Sequence, residues 1–120
     1  MSTRHTYRVI VRGTWEGLTG PDRERLLAEV DEHGLTAMRF TEQGSLAYDA
    51  VLKHFSFRYV VVSDPEDGDE MAAAIAEDRA ERTLRDRGLP HGALRSTVTD
   101  MDAMKINHKG RRGSGTARPA

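Results

Sequence analysis

The alternation in residues 54–63 constrains the fold of this chain more than any other feature. His54-Phe55-Ser56-Phe57-Arg58-Tyr59-Val60-Val61-Val62-Ser63 places Phe55, Phe57, Tyr59 and Val61 on one side of an extended backbone. Ser56, Arg58, Val60 and Val62 fall on the other. A strand so rich in aromatic and β-branched residues needs ladder partners for its backbone and a layer to cover its apolar side. It is expected at the centre of a sheet.

The partners follow from the remaining patterns. Tyr7 to Arg12 reads as a first strand. Thr19, Pro21 and Asp22 start a helix, because Thr19 can accept from a free backbone N–H and Pro21 loses nothing in the first turn. Leu26, Leu27 and Val30 would be its apolar positions, and Gly34 its end. Met38 to Thr41 reads as a second strand, and Leu46 to Asp49 resumes extended character after a turn. Residues 37–49 are therefore one bent strand or an extra hairpin. The acidic run Asp64 to Glu70 leads into a helix from near Asp69 to Arg87. Its apolar face is Met71, Ala72, Ile75, Ala76, Ala80, Thr83 and Leu84. Ala93 to Thr99 reads as the last strand. The order strand-helix-strand-strand-helix-strand predicts a ferredoxin-like α+β fold, a four-stranded antiparallel sheet with both helices on one face. The domain is expected over residues 1–104.

Charge separates that body from its end. Lys105, Lys109, Arg111, Arg112 and Arg118 lie in the last sixteen residues without an Asp or Glu, while the whole chain carries −1. The body therefore holds −6, and residues 105–120 are expected to be a basic, disordered tail.

Sorting the strands by face exposes an asymmetry. Tyr7, Val9, Val11, Met38, Phe40, Phe55, Phe57, Tyr59, Val61, Leu94 and Val98 form the side expected under the helices. Arg8, Ile10, Arg12, Arg39, Thr41, Ser56, Arg58, Val60, Arg95 and Thr97 form the open side. Arg8, Arg12, Arg39, Arg58 and Arg95 thus meet on a semi-apolar platform, which suits a carboxylate, a phosphate or a partner's acidic groups. A solvated face with scattered ion pairs is the plainer alternative. Trp15 is a candidate to close one edge of this face.

Other chemistries find less support. There is no cysteine, so disulfides, thiol catalysis and thiolate metal sites are out. No apolar run can span a bilayer, and the first six residues contain no signal-peptide core, so a cytoplasmic chain is expected. Lys53 to Val60 partly resembles the RNA-recognition signature. His54, Arg58 and Val60 depart from it, and its phenylalanines fall on the helix side. An acylphosphatase would need a matching anion loop after the first strand and an asparagine for water; here the loop carries Glu16 and the sole asparagine is Asn107. The five histidines are dispersed without metal-ligand spacing, so no metal and no cofactor is expected. His54, Tyr59 and Asp100 are the residues a small dimeric enzyme could use for proton transfer, yet no spacing singles them out as catalytic.

Three segments carry a resemblance: Tyr7 to Thr14, Phe55 to Tyr59, and Thr99-Asp100-Met101-Asp102-Ala103-Met104-Lys105. Together, over about residues 5–112, they resemble a family of small actinobacterial proteins known as a domain of unknown function. That resemblance implies no activity. It directs attention to Arg12-Gly13 and to the segment Asp100-Met101-Asp102. The expectation is a non-enzymatic binding or accessory protein, a homodimer, acting on a small anion or a protein partner. Its candidate ligand-binding residues are Arg8, Arg12, Arg39, Arg58, Arg95, Trp15 and Asp100. A nucleic acid is the less favoured partner because the body is acidic, and a membrane is not expected.

Overall fold

The computed structural model describes residues 4–103. The predicted basic tail and Asn107 lie outside the described residues. The fold is α+β, with an open four-stranded antiparallel sheet and helices. Its strands are β1 (His5–Thr14), β2 (Ser45–Tyr48), β3 (His54–Ser63) and β4 (Arg95–Asp100); its helices are α1 (Gly20–Ala28) and α2 (Gly68–Asp86). The strand order is β2-β3-β1-β4.

The run at residues 54–63 is central, as its pattern demands. It pairs with β1 along its full length, from His5 opposite Ser63 to Thr14 opposite His54, and with β2 on its other edge. β4 completes the ladder on the free edge of β1. Alternation sets the core: Tyr7, Val9, Val11, Phe55, Phe57, Tyr59 and Val61 are all buried. Ala72, Ala76, Ala80 and Leu84 are buried at four-residue spacing along α2, and small side chains there let the helix sit close to the sheet. Leu26 of α1 joins the same cluster. The capping box is present: Asp22 N–H donates to Thr19 Oγ1, and Thr19 N–H donates to Asp22 Oδ2. No helix among the described residues is long and apolar enough to cross a membrane.

Residues 29–44 depart from the sequence pattern. α1 stops at Ala28, and two 3-10 turns follow, Val30–His33 and Leu35–Ala37. Leu27, expected in the core, is half exposed. Met38 to Thr41 is not a strand, and there is no extra hairpin over 37–49. Thr41 makes an isolated parallel bridge to Tyr59, and its carbonyl accepts from Val60 N–H at 2.8 Å. Phe40, expected under the helices, instead lies beneath the Arg8 guanidinium, 5.0 Å from ring centre to Cζ. β-Propensity in Met38-Arg39-Phe40-Thr41 does not by itself make a strand: β2 takes the β3 edge at Phe55–Arg58, and of these four residues Thr41 alone bridges the next position, Tyr59.

Gly44 makes the return possible. It has φ +88°, and a Cβ there would overlap the Tyr59 ring. Only glycine lets the backbone turn left-handed across that ring. Gly44 N–H donates to Thr41 Oγ1 at 2.9 Å, and the Arg79 guanidinium donates to the Glu42 carbonyl at 3.0 Å.

Candidate functional site

The helix-free side of the sheet carries a cavity of about 570 Å³. Its floor is a single row across all four strands. Ala47 lies opposite Ser56, Ser56 opposite Arg12, and Arg12 opposite Arg95. Two small residues thus sit beside two arginines, and the size step creates the hollow. Gly34, Leu35 and Met38 line the β2 side, and His54 and Asp49 also reach it. The 3-10 turn at Leu35–Ala37 and Met38, the first residue of the predicted strand, therefore form a wall of the cavity.

The electrostatics of this row are one-sided. The Arg12 guanidinium donates to Thr97 Oγ1 at 3.1 Å, a neutral partner. Among the described residues none of Arg8, Arg12, Arg39, Arg58 and Arg95 forms a salt bridge. Like charges directly opposite on paired strands disfavour folding. Asp49 is the acidic residue lining the cavity, and its Oδ1 accepts from Val51 N–H at 3.0 Å.

The other arginines distribute unevenly. Arg58 lies one row along the open face, opposite Ile10 and Ser45, and donates to Ser56 Oγ at 3.1 Å. Arg8 lies a further row away, opposite Val60 and Thr99, stacked on Phe40. Arg39 is on no strand; its Nε donates to the Thr36 carbonyl at 3.3 Å.

Two sequence candidates sit elsewhere. Trp15 closes no edge of the open face. It is buried, 4.4 Å from Phe55 and 5.8 Å from Tyr48 between ring centres. An aromatic ring beside two others gains more from the core than from water. Its Nε1 has no hydrogen-bond partner. Asp100 stands at the far end of β4 from Arg95, roughly 17 Å along the strand, opposite Tyr7. There His5 Nδ1 lies 2.8 Å from Asp100 Oδ2, and Asp100 Oδ1 accepts from the N–H groups of Asp102 and Ala103. Burial pushes the Asp100 carboxyl up, but the His5 ring and the two backbone donors outweigh it and hold it below the usual range.

Thr6 N–H donates to Asp102 Oδ2 at 2.7 Å, so this group ties the start of β1 to the residues after β4. His5, Asp100 and Asp102 offer three metal-ligand atoms within 4.8 Å of one another. Sequence spacing does not reveal this cluster because His5 and Asp100 are 95 residues apart. The donor atoms are already engaged in hydrogen bonds, so a cation would have to displace the His5–Asp100 contact.

The residues named for proton transfer do not converge. His54 lines the cavity, Tyr59 is buried on the opposite side of the sheet, and Asp100 is at the far end. Burial pushes the Tyr59 hydroxyl up to about 12. Thr83 beside it donates to the Arg79 carbonyl instead, at 3.0 Å. Phe55 and Phe57 are buried on the helix side, so β3 offers no phenylalanine for base stacking on its open face.

A family model described as a family of unknown function, DUF6204, matches residues 1–112. The chain belongs to that family. No curated protein and no solved structure matches it. The DUF6204 match spans every residue of the cavity and of the His5–Asp100 cluster, and the family description assigns neither a role.

Proposed function

We propose that this DUF6204 protein is a non-enzymatic binding or accessory protein whose open-face cavity takes a small anion. Arg12 and Arg95 hold the anionic group, and Ser56 and His54 supply polar contacts beside it. One observation carries the proposal: two guanidinium groups in direct cross-strand register at the cavity, with no carboxylate paired to either among the described residues. An external anion would relieve their repulsion and accept their hydrogen bonds. The cavity volume falls within the ordinary range for small-molecule sites.

The ferredoxin-like assignment belongs to the same proposal. It is supported by the element order and by antiparallel β1 and β3 at the centre with β2 and β4 at the edges. A homodimer through the open face, in the cytoplasm of an actinobacterium, completes the picture. Exposed Val62 together with partly exposed Ile10 and Val60 supports the dimer.

The test is the unfolding midpoint against a panel of small anions, with Arg12→Gln and Arg95→Gln alongside. A ligand of the native state raises the midpoint. The proposal expects at least one anion to do so in the wild type and by clearly less, at the same concentration, in either variant. A panel that leaves the wild type unmoved would overturn it. Sedimentation velocity decides the dimer: a purely monomeric species refutes it.

A further inference from the structure

We infer that the cavity ligand is an amphipathic organic acid, a singly charged carboxylate on a short apolar body. The inference rests on the anion-site proposal and narrows it. Charge balance fixes the head group. The lining carries Arg12 and Arg95 against Asp49, an excess of one positive charge among its arginine and carboxylate side chains. One carboxylate neutralises that excess. A dianionic phosphate would overshoot it and meet the Asp49 carboxylate. Two forked guanidinium groups on adjacent strands also match the planar geometry of a carboxylate.

The apolar body is fixed by what faces the arginines. Ala47, on the floor, is buried, while Leu35 is 84% exposed and Met38 46% exposed. Leu35 and Met38 are held at the cavity by short 3-10 and coil backbone, with Ala37 N–H donating to the Gly34 carbonyl at 3.0 Å and Met38 N–H to the Leu35 carbonyl at 3.1 Å. Two large apolar side chains thus line the hollow, Leu35 largely and Met38 about half uncovered by the described residues. A purely polar anion would leave them in water. A hydrocarbon segment lying from the arginines toward Leu35 would cover them.

The experiment is calorimetric titration of the full chain at fixed ionic strength with acetate, butanoate, hexanoate and octanoate, and with inorganic and hexyl phosphate. The expected result is affinity rising about two- to fourfold per added methylene, the ratio that burying a CH₂ confers, and hexanoate binding at least as tightly as hexyl phosphate. Arg95→Gln should weaken every acid by about tenfold, the loss of a charge-assisted hydrogen bond. Leu35→Ser should flatten the chain-length dependence and leave acetate unchanged; its exposure makes it harmless to folding. If all chain lengths bind equally and Arg95→Gln still weakens them, the anion site stands and the amphipathic ligand is refuted. Tighter binding of hexyl phosphate than of hexanoate likewise refutes the monocarboxylate. If no acid or phosphate binds, or octanoate binding ignores both variants, both proposals fall.

Discussion

Replacing Arg95 with glutamate tests whether the open face holds an uncompensated charge pair. In the wild type Arg95 faces Arg12 directly across β4 and β1, and the Arg12 guanidinium donates to the neutral Thr97 hydroxyl rather than to a carboxylate. Arg95→Glu converts a like-charge pair into an opposite-charge pair. Cross-strand pairs of this kind are worth roughly 0.2–1 kcal/mol, and both side chains are exposed, which keeps the gain toward the low end. Removing repulsion and adding attraction together should stabilise the variant by about 0.5–1 kcal/mol. At about 4–8 °C per kcal/mol for a domain near this size, the midpoint should rise roughly 3–6 °C. Arg95→Gln, which removes repulsion alone, should rise by about half as much by the same scale. The assay is thermal unfolding in low-salt buffer and again in roughly 1 M NaCl, where the Debye length is about 3 Å. The gain should vanish in high salt, and the glutamate variant should no longer respond to carboxylates. A glutamate variant no more stable than the glutamine one in low salt would refute the reasoning, since Arg12 would then be compensated by something else.

Other outcomes follow from the same geometry. Gly44→Ala should destabilise by about 2–4 kcal/mol, from left-handed backbone strain and overlap with the Tyr59 ring, whereas Gly68→Ala should cost about 1 kcal/mol. Gly68 also has positive φ but nothing within 4 Å of its Cβ position, so equal losses in urea unfolding would rule out the ring contact. Burial raises all three tyrosines, Tyr48 and Tyr59 to about 12 and Tyr7 upward from its ordinary value. The unfolded chain ionises first, so stability is complete below about pH 10 and falls as pH rises toward 12; tyrosinate absorbance appearing in the folded protein at pH 10 would contradict this. Asp100 is depressed, so its contribution is present above the ordinary carboxylate range and lost as pH falls through its folded value. Asp100→Asn should cost about 1–2 kcal/mol at pH 7 and nothing at low pH, and a pH-independent loss would show that charge is not what His5 recognises.

The strongly patterned segments are legible in the sequence itself. Alternation in β3 specifies a central strand and its buried side, because side chains two residues apart share a face whatever the partner. Four-residue spacing of Ala72, Ala76, Ala80 and Leu84 marks the buried stripe of α2, and Thr19 with Asp22 marks the start of α1. Each of these is local and periodic. Arg8, Arg12, Arg58 and Arg95 can be assigned to one face for the same reason.

What only the tertiary structure decides is which residues meet. Alternation assigns a face but not a register, and register depends on long-range pairing. That pairing sets Arg12 against Arg95, lowers the floor with Ser56 and Ala47, and leaves Arg8 two rows away. It also places Asp100 beside His5 rather than beside the arginines. Residues 29–44 depart from their pattern because their backbone follows tertiary contacts rather than propensity: β2 takes the β3 edge at Phe55–Arg58, Thr41 makes an isolated bridge to Tyr59, Gly44 crosses the Tyr59 ring, and Leu35 and Met38 become a wall of the cavity. Trp15 goes to the core because two aromatic rings meet it there, a juxtaposition of distant segments that no local pattern encodes.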